Sequence, residues 1–363
     1  MQPGMDADGV DLGPALRRLY GSAPLAATLT KLKGDASSRS YYRFALNQNA
    51  SASGPRSIVA MRLPEDALHS DEAAGNDRPS ELPFIEVQRT LAARGVPVPE
   101  ILVDDTAGRV LLLEDLGDET FGDRLARSPR SAWPELYGQA IDLLARMHAA
   151  CEGGLPEQGL AFRRRFEREL LRWELDHFRE WGLEALTSAL APADRAALDL
   201  AFDALTDELV ALPTGFAHRD YQSRNLMWAA RGLVVIDFQD ALQGPRPYDL
   251  VALLCDSYMA LDLELQRSLI ERYVHARGWP ASELPGFERA FWTVAVQRKL
   301  KDAGRFVFID RVRRNPDFLP HYPQSVVYAG RALRWLGREE LIERIARALP
   351  GFPDALGVPR SHI

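Results

Sequence analysis

Apolar and polar positions divide the chain into two parts with different periods. Up to about residue 117 the apolar runs are short and broken by turn residues. A short amphipathic helix is expected within 12–25, followed by a strand, a small polar turn and a second strand over 32–44. A polar loop spans 46–57, and Ile58-Val59-Ala60-Met61-Arg62 reads as a third strand. The 64–83 stretch is rich in Pro, Asp, Glu, Ser and Gly and reads as a mobile loop. Phe84, Val87, Leu91 and Ala92 then recur at helical spacing, ending near Gly95. Val96-Pro97-Val98-Pro99 is a rigid extended stop. Ile101-Leu102-Val103 and Val110-Leu111-Leu112-Leu113 predict a hairpin turning at 105–108.

Beyond about 119 the period becomes helical. Helices are expected around 137–148, 162–182, 193–211, 250–276, 285–303 and 325–348. One segment interrupts them: apolar Gly215-Phe216-Ala217, a polar stretch, then Gly232-Leu233-Val234-Val235-Ile236 as a short buried strand. Strands first and helices later predict an α+β chain of two lobes, 1–117 and 118–363, sharing one cleft.

Composition narrows the class. Of 363 residues, 46% are apolar and 26% charged, as in an ordinary globular protein. A net charge of −7 argues against a nucleic-acid or anionic-membrane binder. Cys151 and Cys255 lack metal-ligand spacing and fit a reducing, cytoplasmic setting. No apolar leader or 18-residue apolar run is present, so neither signal peptide nor membrane span is expected. The expected state is a monomer.

The chemistry concentrates where the helical pattern breaks. His218-Arg219-Asp220-Tyr221-Gln222-Ser223-Arg224-Asn225 reads H-R-D-x-x-x-x-N, and Asp237 closes the strand that follows. Phosphoryl transfer to a hydroxyl needs these groups in this order. Asp220 is the candidate base, accepting the proton of the attacking hydroxyl. Asn225 and Asp237 are hard oxygen ligands suited to Mg²⁺. His218 reads as a structural residue of the loop, and Arg219 as a partner for a carboxylate or phosphate. Asp249 precedes an apolar run and reads as a helix N-cap that could also orient the loop. His148 reads as a helix-end residue satisfied by helix carbonyls.

The earlier strands supply a nucleotide side. Backbone N–H groups and the hydroxyls of Ser37 and Ser38 form a candidate phosphate flap. Arg62 stands in V-A-M-R where protein kinases carry V-A-I-K, with Glu86 as its candidate helix partner. Glu114 and Leu116 mark the link where adenine could meet backbone groups. A basic stretch over 291–314 offers Arg298, Lys301 and Arg305 to an anionic acceptor.

Taken together, these residues resemble the aminoglycoside phosphotransferase and choline kinase superfamily. The matching pieces are Leu32-Lys33-Gly34-Asp35-Ala36-Ser37, Leu111 to Asp118, the 218–227 loop, Ile236 to Ala241, Gly244-Pro245 with Tyr248-Asp249-Leu250, and Gln297 to Lys301. Within it the chain is most similar to bacterial kinases that phosphorylate N-acetylmuramate and N-acetylglucosamine at the anomeric carbon. The resemblance implies a protein-kinase-like fold, ATP, Mg²⁺, a sugar hydroxyl acceptor and a role in peptidoglycan recycling. It also draws Gln239 and Asp240 toward the acceptor pocket. Alternatives are another hydroxyl acceptor (aminoglycoside, choline-like alcohol or other sugar) and a non-catalytic nucleotide-binding regulator.

Overall fold

A computed structural model describes residues 11–21, 27–32, 39–47, 54–64, 81–154, 159–187 and 190–352. Its N-terminal part is a five-stranded antiparallel sheet in the order β1-β2-β3-β5-β4. The strands are β1 (Ala27–Lys31), β2 (Ser40–Leu46), β3 (Ser57–Arg62), β4 (Ile101–Asp105) and β5 (Val110–Glu114). Helix α1 (Gly13–Tyr20) precedes them, and α2 (Pro83–Ala93) lies between β3 and β4.

Register decides what each face does. Val59 pairs with Leu113 and Met61 with Leu111, while Ala60 pairs with Leu112 and Arg62 with Val110. Directly paired residues share a face, and neighbours along a strand alternate. Met61, Leu111 and Leu113 join α2 in the main core, which continues into the helical part. Ile58, Ala60, Val110 and Leu112 form a smaller core with Leu12, Leu16, Tyr42 and Phe44 on the opposite face.

The rest is mainly helical: α3 (Phe121–Arg127), α4 (Trp133–Ala150), α5 (Leu160–Arg163), α6 (Arg168–His177) and α7 (Pro192–Val210), then α8 (Tyr248–Leu254), α9 (Leu263–Ala276), α10 (Leu284–Arg313), α11 (Tyr322–Trp335) and α12 (Glu339–Ala348). Start signals are explicit. Thr120 and Asp123 form a reciprocal capping box on α3, and Asp262 accepts the Leu265 N–H at the start of α9. Two antiparallel pairs carry the functional loop between α7 and α8. They are β6 (Thr214–Ala217) with β9 (Leu242–Pro245), and β7 (Leu226–Ala229) with β8 (Gly232–Val235).

Several expected helices are divided. The 162–182 stretch breaks into α5, α6 and a π-helical turn over Phe178–Glu184. That turn packs against α10, where Gly304 permits contact: a Cβ there would lie 2.8 Å from the Phe178 Cα. The 250–276 stretch is split by the 255–262 loop. The last expected helix is two, parted at Gly337, whose φ of +67° suits glycine. Helix α10 is longer than expected because it runs through the core, with Trp292, Val296 and Leu300 all buried.

Candidate active site

Between β6 and β7 the chain folds into a loop whose backbone is held by buried carboxylates. Asp249, on α8, accepts the N–H of His218 at 2.6 Å and of Arg219 at 2.9 Å. The α8 N-cap is Pro247, with no side-chain cap bond, so Asp249 braces the loop instead of capping the helix. His148 serves the same brace: its Nε2 lies 2.9 Å from Asp249 and its Nδ1 2.7 Å from the Tyr273 hydroxyl. Its partners are therefore side chains distant in sequence, not the carbonyls of its own helix. Asp256 accepts both the N–H (2.9 Å) and the hydroxyl (2.6 Å) of Ser223. Tyr221 is buried and donates to the Ala140 carbonyl of α4. Each bond supplies a partner that a buried polar group would otherwise lack.

His218 acts structurally, as expected. Its Nε2 donates to the Ile236 carbonyl at 2.9 Å, and its Nδ1 accepts the Asp220 N–H at 3.2 Å. Arg219 faces a carboxylate, lying 3.6 Å from the buried Glu174. Arg219 and Asp237 have φ of +80° and +64°. Such angles in non-glycine residues cost about 1–3 kcal/mol each and persist where the surroundings over-determine them.

The three residues of the motif converge. The Asn225 amide nitrogen donates to the Asp220 carbonyl (2.9 Å) and to Asp237 Oδ2 (3.3 Å). The Asn225 carbonyl oxygen has no hydrogen bond among the described residues. One carboxylate and one amide oxygen form the sparse donor set that suits Mg²⁺, which keeps waters and takes further oxygens from phosphates. Burial and the neighbouring charges of Asp220 and Asp240 raise the Asp237 carboxyl, against a 2.8 Å hydrogen bond from Gln239. The residue as a whole is nonetheless exposed. A bound cation would relieve this crowding of negative charge.

Asp220 lies in the opposite field. Burial pushes its carboxyl up, but Arg298, Lys301 and Arg219 outweigh burial and hold it down at about 2. It therefore stays ionised and ready to accept a hydrogen bond.

The segment expected to meet the nucleotide lies at the end of β5. Arg43 on β2 grips Asp115 with two bonds, at 2.8 and 2.9 Å, and reaches Asp118 at 2.6 Å. Asp115 also accepts from the Ser57 hydroxyl (2.5 Å) and the Gly117 N–H (3.0 Å). Burial raises the Asp115 carboxyl, but these bonds dominate and lower it. The Glu114 side chain is committed to Arg231 at 2.7 and 3.0 Å. Leu116 is half-buried, and its backbone N–H makes no hydrogen bond among the described residues. Ser37 and Ser38 lie outside the described residues.

Comparison with known proteins follows this geometry. A model of the phosphotransferase enzyme family matches residues 28–291. The chain belongs to this family. It is 33% identical over 349 residues to an N-acetylmuramate/N-acetylglucosamine kinase of Pseudomonas aeruginosa, covering 92% of this chain and 91% of that one. Over 313 residues it is 33% identical to the protein of the same name from Neisseria meningitidis serogroup B, covering 84% and 86%. Its fold resembles choline kinase from Cryptosporidium parvum (TM-score 0.58, 11% identity, 94% and 98% covered). It also resembles aminoglycoside 2'-phosphotransferase-IIIa (TM-score 0.54, 15% identity, 92% and 96% covered). The α+β, protein-kinase-like fold expected from the sequence is thereby borne out.

Four expectations are revised in this phosphotransferase. Arg62 shares its sheet face with Ile58 and Ala60, opposite the face on which Met61 meets α2. Glu86, on α2, accepts the Leu160 N–H at 2.6 Å and lies 3.8 Å from Arg163. The expected Arg62–Glu86 pairing thus gives way to a tie between α2 and α5. Arg298 is not open to an acceptor: it is fully buried and bound to the catalytic loop. Gln239 is buried and donates to Asp237 and, at 3.4 Å, to Asp240. Lys301 and Arg305 are half-buried on α10. Lys301 lies 3.4 Å from Asp302, whose other oxygen is held by Lys299 at 2.6 Å. The sequence reading missed Asp256, Glu174 and Arg43. Their type is unremarkable, and each acts on a partner at least 33 residues away.

Proposed function

We propose that this phosphotransferase is an ATP- and Mg²⁺-dependent kinase that phosphorylates the anomeric hydroxyl of N-acetylmuramate or N-acetylglucosamine. The carrying observation is Asp220, with one carboxylate oxygen fixed and the residue partly open to the cleft, beside Asn225 and Asp237. Two 33%-identical relatives named for this activity, matched over most of their length, support the acceptor.

In this reading the Asp220 carboxylate aligns the anomeric hydroxyl. A bond forms from that oxygen to the γ-phosphorus, and the bond to the β,γ-bridging oxygen breaks. ADP departs with the bridging oxygen, and the hydroxyl proton passes to Asp220. With its low proton affinity, Asp220 takes the proton late, after the new bond has largely formed. Asn225 and Asp237 would hold Mg²⁺, which supplies charge neutralisation for the phosphates. Adenine sits against the link at 114–118, where the Leu116 N–H is available. Gln239 and Asp240 set the metal side, while Lys301 and Arg305 border the acceptor. We place the lobe boundary at this link. The product, a sugar 1-phosphate, fits a recycling route for cell-wall sugars.

The positive field of Arg298, Lys301 and Arg219 around Asp220 disfavours polycationic acceptors. The test is a product NMR spectrum after incubation with ATP, Mg²⁺ and each amino sugar. A phosphorus-coupled anomeric proton is expected. Unchanged sugar together with phosphorylation of an aminoglycoside or choline would sink the acceptor assignment.

A further inference from the structure

Helix α10 delivers one side chain to the catalytic base from outside the segment that the family model matches. That model ends at residue 291, and Arg298 lies beyond it. The Arg298 side chain has no solvent exposure. One guanidinium nitrogen donates to the Arg219 carbonyl at 2.6 Å, and the other donates to Asp220 Oδ1 at 3.0 Å. The guanidinium also lies 4.9 Å from the centre of the Tyr248 ring, which fixes its plane.

These contacts close a bracket. Arg219 holds a strained φ of +80° immediately before the base. Asp249 fixes its N–H at 2.9 Å, and Arg298 fixes its carbonyl. A residue in this conformation stays there only while both ends are held. The same guanidinium then selects one oxygen of Asp220. Oδ1 is occupied and Oδ2 has no partner among the described residues, although the side chain is 31% exposed. A planar fork can satisfy a carbonyl and a carboxylate together, whereas a lysine ammonium on one stem reaches them less well.

We propose that Arg298 is a positioning residue. It locks the Arg219–Asp220 backbone and one carboxylate oxygen, so that Asp220 Oδ2 alone faces the acceptor hydroxyl. This rests on the reading of Asp220 as the base in phosphoryl transfer, and it assigns Arg298 no contact with either substrate. Misplacement of a reacting group by about 1 Å can cost about 10²-fold in rate. Loss of the clamp therefore acts on kcat and spares binding.

The experiment is a double-mutant cycle on full-length protein with D220N, R298Q, R298K and the paired variants. Sugar phosphorylation and ATP hydrolysis by water are both scored, and ATP affinity is measured by calorimetry. R298Q is expected to lower kcat about 10²-fold, leaving ATP affinity within about twofold. R298K, which keeps the buried charge, should recover about tenfold of that loss. In the D220N background neither Arg298 change should lower the rate further. Multiplicative losses in that background, or a rise in acceptor KM at unchanged kcat, would overturn the proposal. If R298Q does not fold, R298K with R298K/D220N completes the same cycle. A D220N enzyme at wild-type rate removes the base assignment itself. Failure on sugars with intact behaviour in hydrolysis removes only the proposed acceptor.

Discussion

The surroundings of Asp220 and the link after β5 are both built from Arg–Asp contacts, but in different dielectric settings. Around Asp220 the supporting groups are buried: Asp249 and Arg298 have no side-chain exposure, and Arg219 has 4%. At the link after β5, Arg43 is 20%, Asp115 10% and Asp118 79% exposed. Buried charges interact strongly and cannot fall back on water, so losing one partner typically costs about 3–5 kcal/mol. Exposed pairs are screened and contribute about 1 kcal/mol or less. Asp220 is thus held by wholly buried partners, while the link after β5 is tied by one part-buried pair, Arg43–Asp115, and one largely exposed pair, Arg43–Asp118.

This contrast can be tested from its strongest point downward. Asp220→Asn should lower kcat by roughly 10²–10⁴-fold with ATP affinity retained, measured by coupled assay and calorimetry. A wild-type rate would dissolve the distinction between the two sides.

Next is the buried pair on α10, Lys299 and Asp302. Burial raises the Asp302 carboxyl, but Lys299, Lys301 and Arg298 prevail and lower it well below the ordinary range. Because the folded value is the lower one, Asp302 stabilises the protein above about pH 4. That contribution fades as pH falls from there toward the folded value. Asp302→Ala should therefore cost about 3–5 kcal/mol at pH 7, seen in denaturant unfolding, and much less only near about pH 2. An equal cost at both pH values would mean that packing, not charge, explains the loss.

Arg43→Ala should destabilise the fold less than Asp302→Ala and raise the KM for ATP about tenfold, since the link loses its tie to β2. A change in the sugar KM instead would move Arg43 to the other side of the comparison. The smallest effect is expected at Arg62. Because the pleat turns it away from α2, Arg62→Ala should change the KM for ATP by less than about twofold. A loss beyond tenfold would restore it as a phosphate ligand.

The same contrast explains what the sequence made legible. Asp220, Asn225 and Asp237 could be read because one short loop and one strand place them together, and order alone constrains their roles. The 101–114 hairpin could be read because two apolar runs flank a turn of Asp105, Thr106, Ala107 and Gly108. The Arg62–Glu86 pairing was not legible because facing depends on register, and one residue of offset exchanges the two sides of a sheet. His148 and Asp249 looked like helix-end residues because their true partners lie 101 residues apart. Arg298 looked like one more cation in a basic helix. Only the passage of α10 through the core shows that this cation points inward. The break in the 162–182 helix had no proline to announce it.

The larger apolar core does not stop near residue 117. Met61 and Leu113 from the sheet, Phe84 from α2 and Phe238 beside the metal-side carboxylate belong to it, and the two phenyl rings lie 5.0 Å apart. Severing the chain near 117 would therefore expose the interior of both fragments. Neither piece should fold alone, and heating the intact protein should give a single calorimetric transition. Opening of the cleft is then limited to what this shared interior can absorb by bending.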